Sequence, residues 1–525
     1  MKIQNNQDMH KTPAITGIQF PADHRGVRST TGAGQSIFAD SYRVIDPAFS
    51  MALKQEKNWR KNYASFMPAM THTAAKSPKL AQSIAQQGLA SCYEQFEFIR
   101  NDKAYKLHQA MALFTQPHFR TACIEGQSPF SKQGVTVEHK GRTLCGDSLK
   151  KQIAYWLEED IIEESHAQDL FCMLNDAKLQ DLSGQHFVLL GASSEIGPLS
   201  LLLALGASVI AIGRENPANW QRLINMARRS PGKLYVPCKR DPSDMSDFQI
   251  ANLAGADLLT QTPEIASWIN GFDAPLTLGN YAYLDGANHV RLVMAMDAIV
   301  TRLTQKRDDI SLAYLLTPSD VYAVPEAVTL NAKARCSGNN LSGLAKKLLN
   351  KITQGYLFSS CIHSQVQDDQ GRDFGILDNL VPQQGPNYVL AKRIQRWRAI
   401  DSVHKGIRVS CNMAPATATK SVMSNKFFAA ATMGSESFGV EVFTPDTANA
   451  LMTLQLIFDI RSEQALEPSE MLFIHGANHG GSWQLGYSLR SVLVPSLIVG
   501  FVQKILPKAK PKGPVKNLTR QQQPA

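Results

Sequence analysis

The chain has 525 residues and a mass of 57.8 kDa, with 44% hydrophobic and 19% charged residues. That balance excludes global disorder, and the length exceeds one average domain. No apolar run reaches the ~18 residues of a membrane span, and the opening MKIQNNQDMHKTPA lacks the apolar core of a secretory signal. Eight cysteines are scattered without a Cys-x-x-Cys pair, so the sequence reads as a soluble, cytoplasmic protein with reduced thiols and no metal site. The formal charge is +9, but Lys504, Lys508, Lys510, Lys512, Lys516 and Arg520 form a stretch with no acidic residue. The excess positive charge is therefore a local feature of the end of the chain. It reads as a basic disordered tail (504–525), and no nucleic-acid partner is expected.

Residues 1–45 are polar and weakly periodic, and the expectation is a poorly ordered segment. From 46 to 180 the pattern is mostly helical and predicts a helical domain of its own. SPKLAQSIAQQGLASCYEQFEFIR (77–100) and SLKKQIAYWLEEDIIEESHAQDLFCML (148–174) space their apolar residues at threes and fours. VTVEHKGRTL (135–144) alternates around Lys140-Gly141, which predicts a short hairpin.

Beyond Gly184 the texture changes. Short strand candidates at 186–190, 207–212, 233–238, 274–283, 310–318, 406–413 and 471–477 alternate with helical stretches at 198–205, 287–303, 388–403 and 445–460. Strands buried on both faces, separated by helices, predict a doubly wound α/β domain with a parallel sheet over 184–485. The stretch 325–385 reads as an insertion in it. An apolar segment (486–503) follows. Its core, SVLVPSLIVGFV (491–502), is too short to cross a bilayer and is expected to complete the core or a subunit interface.

The first strand runs into Gly191-Ala-Ser-Ser-Glu-Ile-Gly197. A glycine turn between a buried strand and a helix suits a pyrophosphate, whose charge is met by backbone N–H groups and the helix dipole. Glu195 departs from that logic, because a carboxylate repels phosphate. The second strand ends at Gly213-Arg214, where an arginine complements a ribose 2′-phosphate better than a free hydroxyl. Asp257-Leu258 precedes a helix start and offers a carboxylate to an adenine amino group. Tyr388 and Lys392 lie one helical turn apart, so both face the same way. An ammonium beside a phenol lowers the phenol's pKa toward a useful value.

In order along the chain, GASSEIG, the Arg214 position, Asp257-Leu258, Tyr388-Val-Leu-Ala-Lys392 and Ala414-Pro415-Ala-Thr-Ala-Thr419 resemble the short-chain dehydrogenase/reductase superfamily. The resemblance covers roughly 184–485. It implies a Rossmann-type sheet and an enzyme transferring a hydride to or from a carbonyl or alcohol carbon. The implied cofactor is NADP(H), with NAD(H) as the alternative. The implied substrate is a small or carrier-bound carbonyl compound, and the implied assembly a homo-oligomer. Tyr388 would be the general acid, Lys392 its partner, and Thr317 or Ser319 the hydroxyl that polarises the substrate, with Ser359 and Ser360 as alternatives. Gly191, Ser193, Ser194, Ile196, Gly197, Arg214, Asp257, Leu258, Asn280, Lys392, Pro415 and Thr419 would hold the cofactor. The family's helix asparagine has no evident counterpart, Asp297 being the nearest polar residue. A weakly catalytic cofactor-binding sensor or scaffold is the competing reading. Membrane contact through the tail is the less favoured role for the C-terminal end.

Overall fold

The computed structural model describes residues 15–131, 134–338, 341–462 and 466–505. In chain order, β1 (Gly17–Gln19), β2 (Glu97–Arg100) and β3 (Lys103–Lys106) form a small antiparallel sheet. β4 (Arg120–Glu125) follows, then the hairpin of β5 (Thr136–His139) and β6 (Arg142–Cys145) turning at Lys140-Gly141. The strands after it are β7 (His186–Leu190), β8 (Ser208–Ile212), β9 (Lys233–Cys238), β10 (Leu276–Asn280), β11 (Ile310–Leu316), β12 (Val321–Pro325), β13 (Ile362–Gln367), β14 (Asp373–Asp378) and β15 (Val409–Met413).

Seven strands form the central sheet in the order β15-β11-β10-β7-β8-β9-β4. All neighbours are parallel except β4, which pairs antiparallel with β9. β7 and β8 are apolar almost throughout because both faces are covered. Val188, Leu190, Ile210 and Ile212 enter one core, while Phe187, Leu189, Val209 and Ala211 enter the other. The first core holds the helices Gly286–Thr304 and Gly385–His404, with Thr30–Tyr42 and Pro78–Gln95 packed behind them. The second holds Gly146–Glu158, Glu164–Asn175, Pro217–Arg228 and Pro445–Arg461.

Several expectations need correction. Residues 46–180 do not stand apart as a helical domain. They supply β4 to the sheet edge and divide between the two cores, because Phe98 and Leu107 have apolar partners on one face and Trp156 and Leu170 on the other. Nor is all of 1–45 poorly ordered: Thr30–Tyr42 is a helix, capped by the Ser29 hydroxyl accepting from Gly32 N–H, and it buries Ile37, Phe38 and Tyr42. Residues 1–14 lie outside the described residues. The expected helix at 77–100 gives its last four residues to β2. The one at 148–174 splits at Asp160, where φ is +55°. The expected last strand at 471–477 is a 3-10 turn (Glu470–Phe473). Glu470 pairs there with buried Arg396, and Gly476 takes a positive φ of 67°, a combination a strand cannot accommodate. The insertion folds as a β12-β14-β13 sheet with the helices Glu326–Cys336 and Leu341–Ile352. The apolar segment 486–503 becomes the helix Leu489–Ile505, and 506–525 lies outside the described residues.

Asp297 is committed to packing, so it does not stand in for the missing asparagine. Arg398 donates to both its oxygens, at 2.7 and 3.0 Å, and the Tyr93 hydroxyl donates at 2.9 Å. Asp297→Ala leaves a buried guanidinium without its main anion and should cost about 3–5 kcal/mol of stability. Chemical denaturation measures this, and a loss well under 1 kcal/mol would contradict the assignment.

Candidate active site

The C-terminal ends of the parallel strands gather the expected residues into two groups. The first stands where β11 ends. Thr317 follows the strand directly, and its hydroxyl is close enough to the Tyr388 phenol to pull the phenol's pKa down. Thr317 Oγ1 lies 2.8 Å from Ser319 Oγ, which also accepts from Gln384 Nε2 at 2.8 Å. Tyr322 closes the loop by donating to the Thr317 carbonyl at 2.6 Å. The Thr317 and Ser319 hydroxyls thus stand paired beside Tyr388. Ser359 and Ser360 lie elsewhere: Ser359 donates to the Gly355 carbonyl, and Ser360 bridges to Tyr487.

Lys392 is buried one turn beyond Tyr388, with Nζ donating to the Leu315 carbonyl at 2.6 Å and lying 5.7 Å from the Tyr388 ring centroid. The lowering of the Tyr388 phenol expected from Lys392 is not found: burial pushes its pKa well above the ordinary value, against the pull of the Thr317 hydroxyl, and Lys392 is not among the groups that shift it. Burial also lowers Lys392 to about 8, with Asp320 pulling it back up.

His289 joins this group and was not anticipated. It is 2% exposed, neither ring nitrogen has a hydrogen-bond partner, and its ring stacks on Tyr388 at 5.9 Å and lies 4.7 Å from Tyr283. Burial and then Lys392 lower its pKa to about 3, which makes it a neutral imidazole. Its only signal in the sequence is a histidine on the apolar face of 287–303, which reads equally as core.

The second group is the glycine turn. Gly191 has φ +102°, and a Cβ there would stand 2.4 Å from Ala282 N, so the turn requires glycine. Ala282 is followed by Tyr283, whose ring is 6.5 Å from that of Tyr388. That contact puts the turn beside the tyrosine. Gly197 plays no comparable part. A Cβ there would meet only Ser194, at 3.5 Å and beyond, and the next helix, Leu199–Ala204, is just six residues long.

Much of the turn is tied to the protein itself. Gly191 and Ala192 N–H donate to the Ile212 carbonyl, Ser194 N–H to the Gly191 carbonyl, and Ser194 Oγ to the Ile196 carbonyl. Asn449 clamps the far side, accepting from Gly197 N–H and donating to the Glu195 carbonyl, each at 2.9 Å. The Glu195 side chain is exposed, and both its carboxylate oxygens accept from Lys420 N–H at 3.1 Å. Lys420 follows Thr419 on the loop after β15, where Pro415 and Thr419 are buried, and Thr419 caps the short helix Lys420–Ser424.

The remaining expected residues divide. Arg214 is exposed just past β8, its carbonyl accepting from Trp220 Nε1, and its guanidinium has no ion-pair partner among the described residues. Ser193 is exposed beside it on the turn. Asp257 spends one oxygen on Leu259 and Thr260 N–H, a local turn that leads the next helix, while Leu258 is core. Asn280 is buried and donates to the Ala313 carbonyl across the sheet, so its amide belongs to the sheet and not to a cofactor. Neither a family model nor a curated protein matches the chain.

Lys392 yields a pH test. Its folded pKa of about 8 lies below the ordinary 10.5, so between those values the unfolded chain holds the extra proton and stability rises with pH. Across that window wild type should gain on Lys392→Met by up to about 1.4 kcal/mol per pH unit in denaturant titrations. A pH-independent difference would place the ammonium in water instead.

Proposed function

We propose that the protein is an NADP(H)-dependent oxidoreductase of the short-chain dehydrogenase/reductase kind, with a doubly wound, Rossmann-type sheet. It acts on a carbonyl or alcohol carbon. The observation that carries the reading is the meeting, at the end of β11, of the paired Thr317 and Ser319 hydroxyls with Tyr388 and with Lys392, whose Nζ lies 5.7 Å from the Tyr388 ring. The strand order supports it. The chain leaves β7 toward β8 on one side and later returns to β10 on the other, and ligands of open α/β sheets bind above such a reversal. The unpaired Arg214 beyond β8 suits a 2′-phosphate.

In this reading Thr317 and Ser319 orient the substrate oxygen. Tyr388, its phenol held protonated by burial, gives up the proton as hydride reaches the carbon, and the Lys392 charge offsets the phenolate that forms. Bound NADPH would supply the hydride.

One observation favours the competing reading, a cofactor-binding protein of weak activity. Glu195 and Asn449 already occupy backbone groups of the turn and of the loop opposite. A Tyr388→Phe variant, assayed with NADPH and a panel of ketones and acyl thioesters, separates the two. Loss of at least about a hundredfold in rate, with NADPH affinity unchanged, is expected of a general acid. Wild type that binds NADPH without substrate-dependent oxidation would favour the sensor.

A further inference from the structure

The helix Leu489–Ile505 is expected from its sequence to be buried, yet it is buried on one side only. It packs on the helix Lys426–Ser435 at a crossing built on two glycines. A Cβ on Gly434 would stand 1.9 Å from the Ser496 carbonyl oxygen, and one on Gly500 equally close to that of Ala430. Ser491, Val492, Ser496 and Gly500 face inward. Outward stand Val494, Ile498, Phe501, Val502 and Ile505, spaced i, i+4, i+7, i+8 and i+11, a single apolar stripe about three turns long. Phe427 of the neighbouring helix extends the stripe, its ring 6.1 Å from that of Phe501. Exposures of 65% for Phe427, 58% for Ile498 and 80% for Ile505 are far from ordinary for contiguous large apolar side chains.

We propose that this pair of helices is a docking surface for an anionic lipid bilayer. Charge selects that occupant. Lys426 and Lys504 flank the stripe, and neither 420–435 nor 489–525 contains an acidic residue, exposed Glu436 just past the first helix being the nearest in the sequence, while Lys508, Lys510, Lys512, Lys516 and Arg520 follow. A second copy of the chain would bring two such faces together with Glu436 alone nearby to answer the lysines of each. An anionic surface answers them, and apolar side chains at headgroup depth bury the stripe. The helix lies along the membrane in this arrangement, since no helix among the described residues is long and apolar enough to cross one. A second basic helix, Leu341–Ile352, exposes Leu344, Leu348 and Ile352 at i, i+4 and i+8 and carries Lys346 and Lys351. It is joined to the first through Phe358, Tyr487 and Val492. The inference is independent of the proposed activity.

Flotation of the full-length protein tests it, using phosphatidylcholine vesicles with and without phosphatidylglycerol at low and high salt. Flotation with the anionic vesicles at low salt is expected, with little on neutral vesicles. Phe427→Ser/Ile498→Ser should lower the bound fraction about tenfold or more, with thermal unfolding unchanged because both side chains are mostly in water. Replacing Lys504, Lys508, Lys510, Lys512 and Lys516 by Gln should remove the salt sensitivity and most binding. Wild type that stays with the soluble fraction, or floats equally well as the double variant, overturns the proposal. So does light scattering that shows a dimer lost in the double variant when no flotation occurs, since the face would then belong to a second copy.

Discussion

The helix Gly385–His404 carries Lys392, Arg393, Arg396 and Arg398 into the interior, and each cation needs a partner there. Arg393 and Arg396 share Asp320, at 3.0 and 3.3 Å, and Arg396 also pairs with Glu470. Arg398 takes Asp297 and Asp401. These pairs fix the helix against three other parts of the chain: the β11–β12 connection, the turn that starts at Glu470, and the helix Gly286–Thr304. Removing one member of a buried pair strands its partner, and the cost of that makes the arrangement hard to shift. The consequence for chemistry is direct. Asp320 lies three residues beyond Thr317, so the ion pairs that anchor the helix also hold the Thr317 hydroxyl against Tyr388. Lys392, left without a carboxylate at contact distance, has its pKa lowered by the same burial.

The nucleotide end has a different balance. A dinucleotide turn ordinarily presents unpaired N–H groups and a long helix dipole. Here the following helix has six residues, and Glu195 and Asn449 tie the turn to neighbouring elements. A carboxylate held at the backbone of the loop after β15 supplies negative charge where the proposed cofactor would bring its own. Cofactor entry in the proposed reading therefore requires the Glu195–Lys420 contact to open, which sets affinity against loop ordering.

The parallel sheet was legible because strands buried on both faces leave unbroken apolar runs, as in 186–190 and 208–212. The grouping of Tyr388, Lys392 and Thr317 was legible because the first two are separated by one turn on one helix, and Thr317 sits at a strand end. What sequence hid was long-range. β4 joins the sheet from more than a hundred residues before its partner β9, with no local pattern to announce it. The 471–477 run has strand-like composition, but Glu470 is claimed by an arginine 74 residues earlier. His289 and Asn280 look alike as polar residues near apolar stretches. Only packing shows that one faces the tyrosine unpartnered and the other is spent within the sheet. Glycines mislead in the same way, for Gly191 is required by close backbone contact and Gly197 is not.

The central claim is hydride transfer at a carbon held between Thr317 and Tyr388. The most direct measurement is isotopic: purified protein is incubated with NADPH deuterated at the nicotinamide C4 position and a panel of carbonyl compounds, and products are analysed by mass spectrometry. The account predicts an alcohol product carrying deuterium on the former carbonyl carbon. Bound NADPH with no labelled product from any carbonyl class would contradict it.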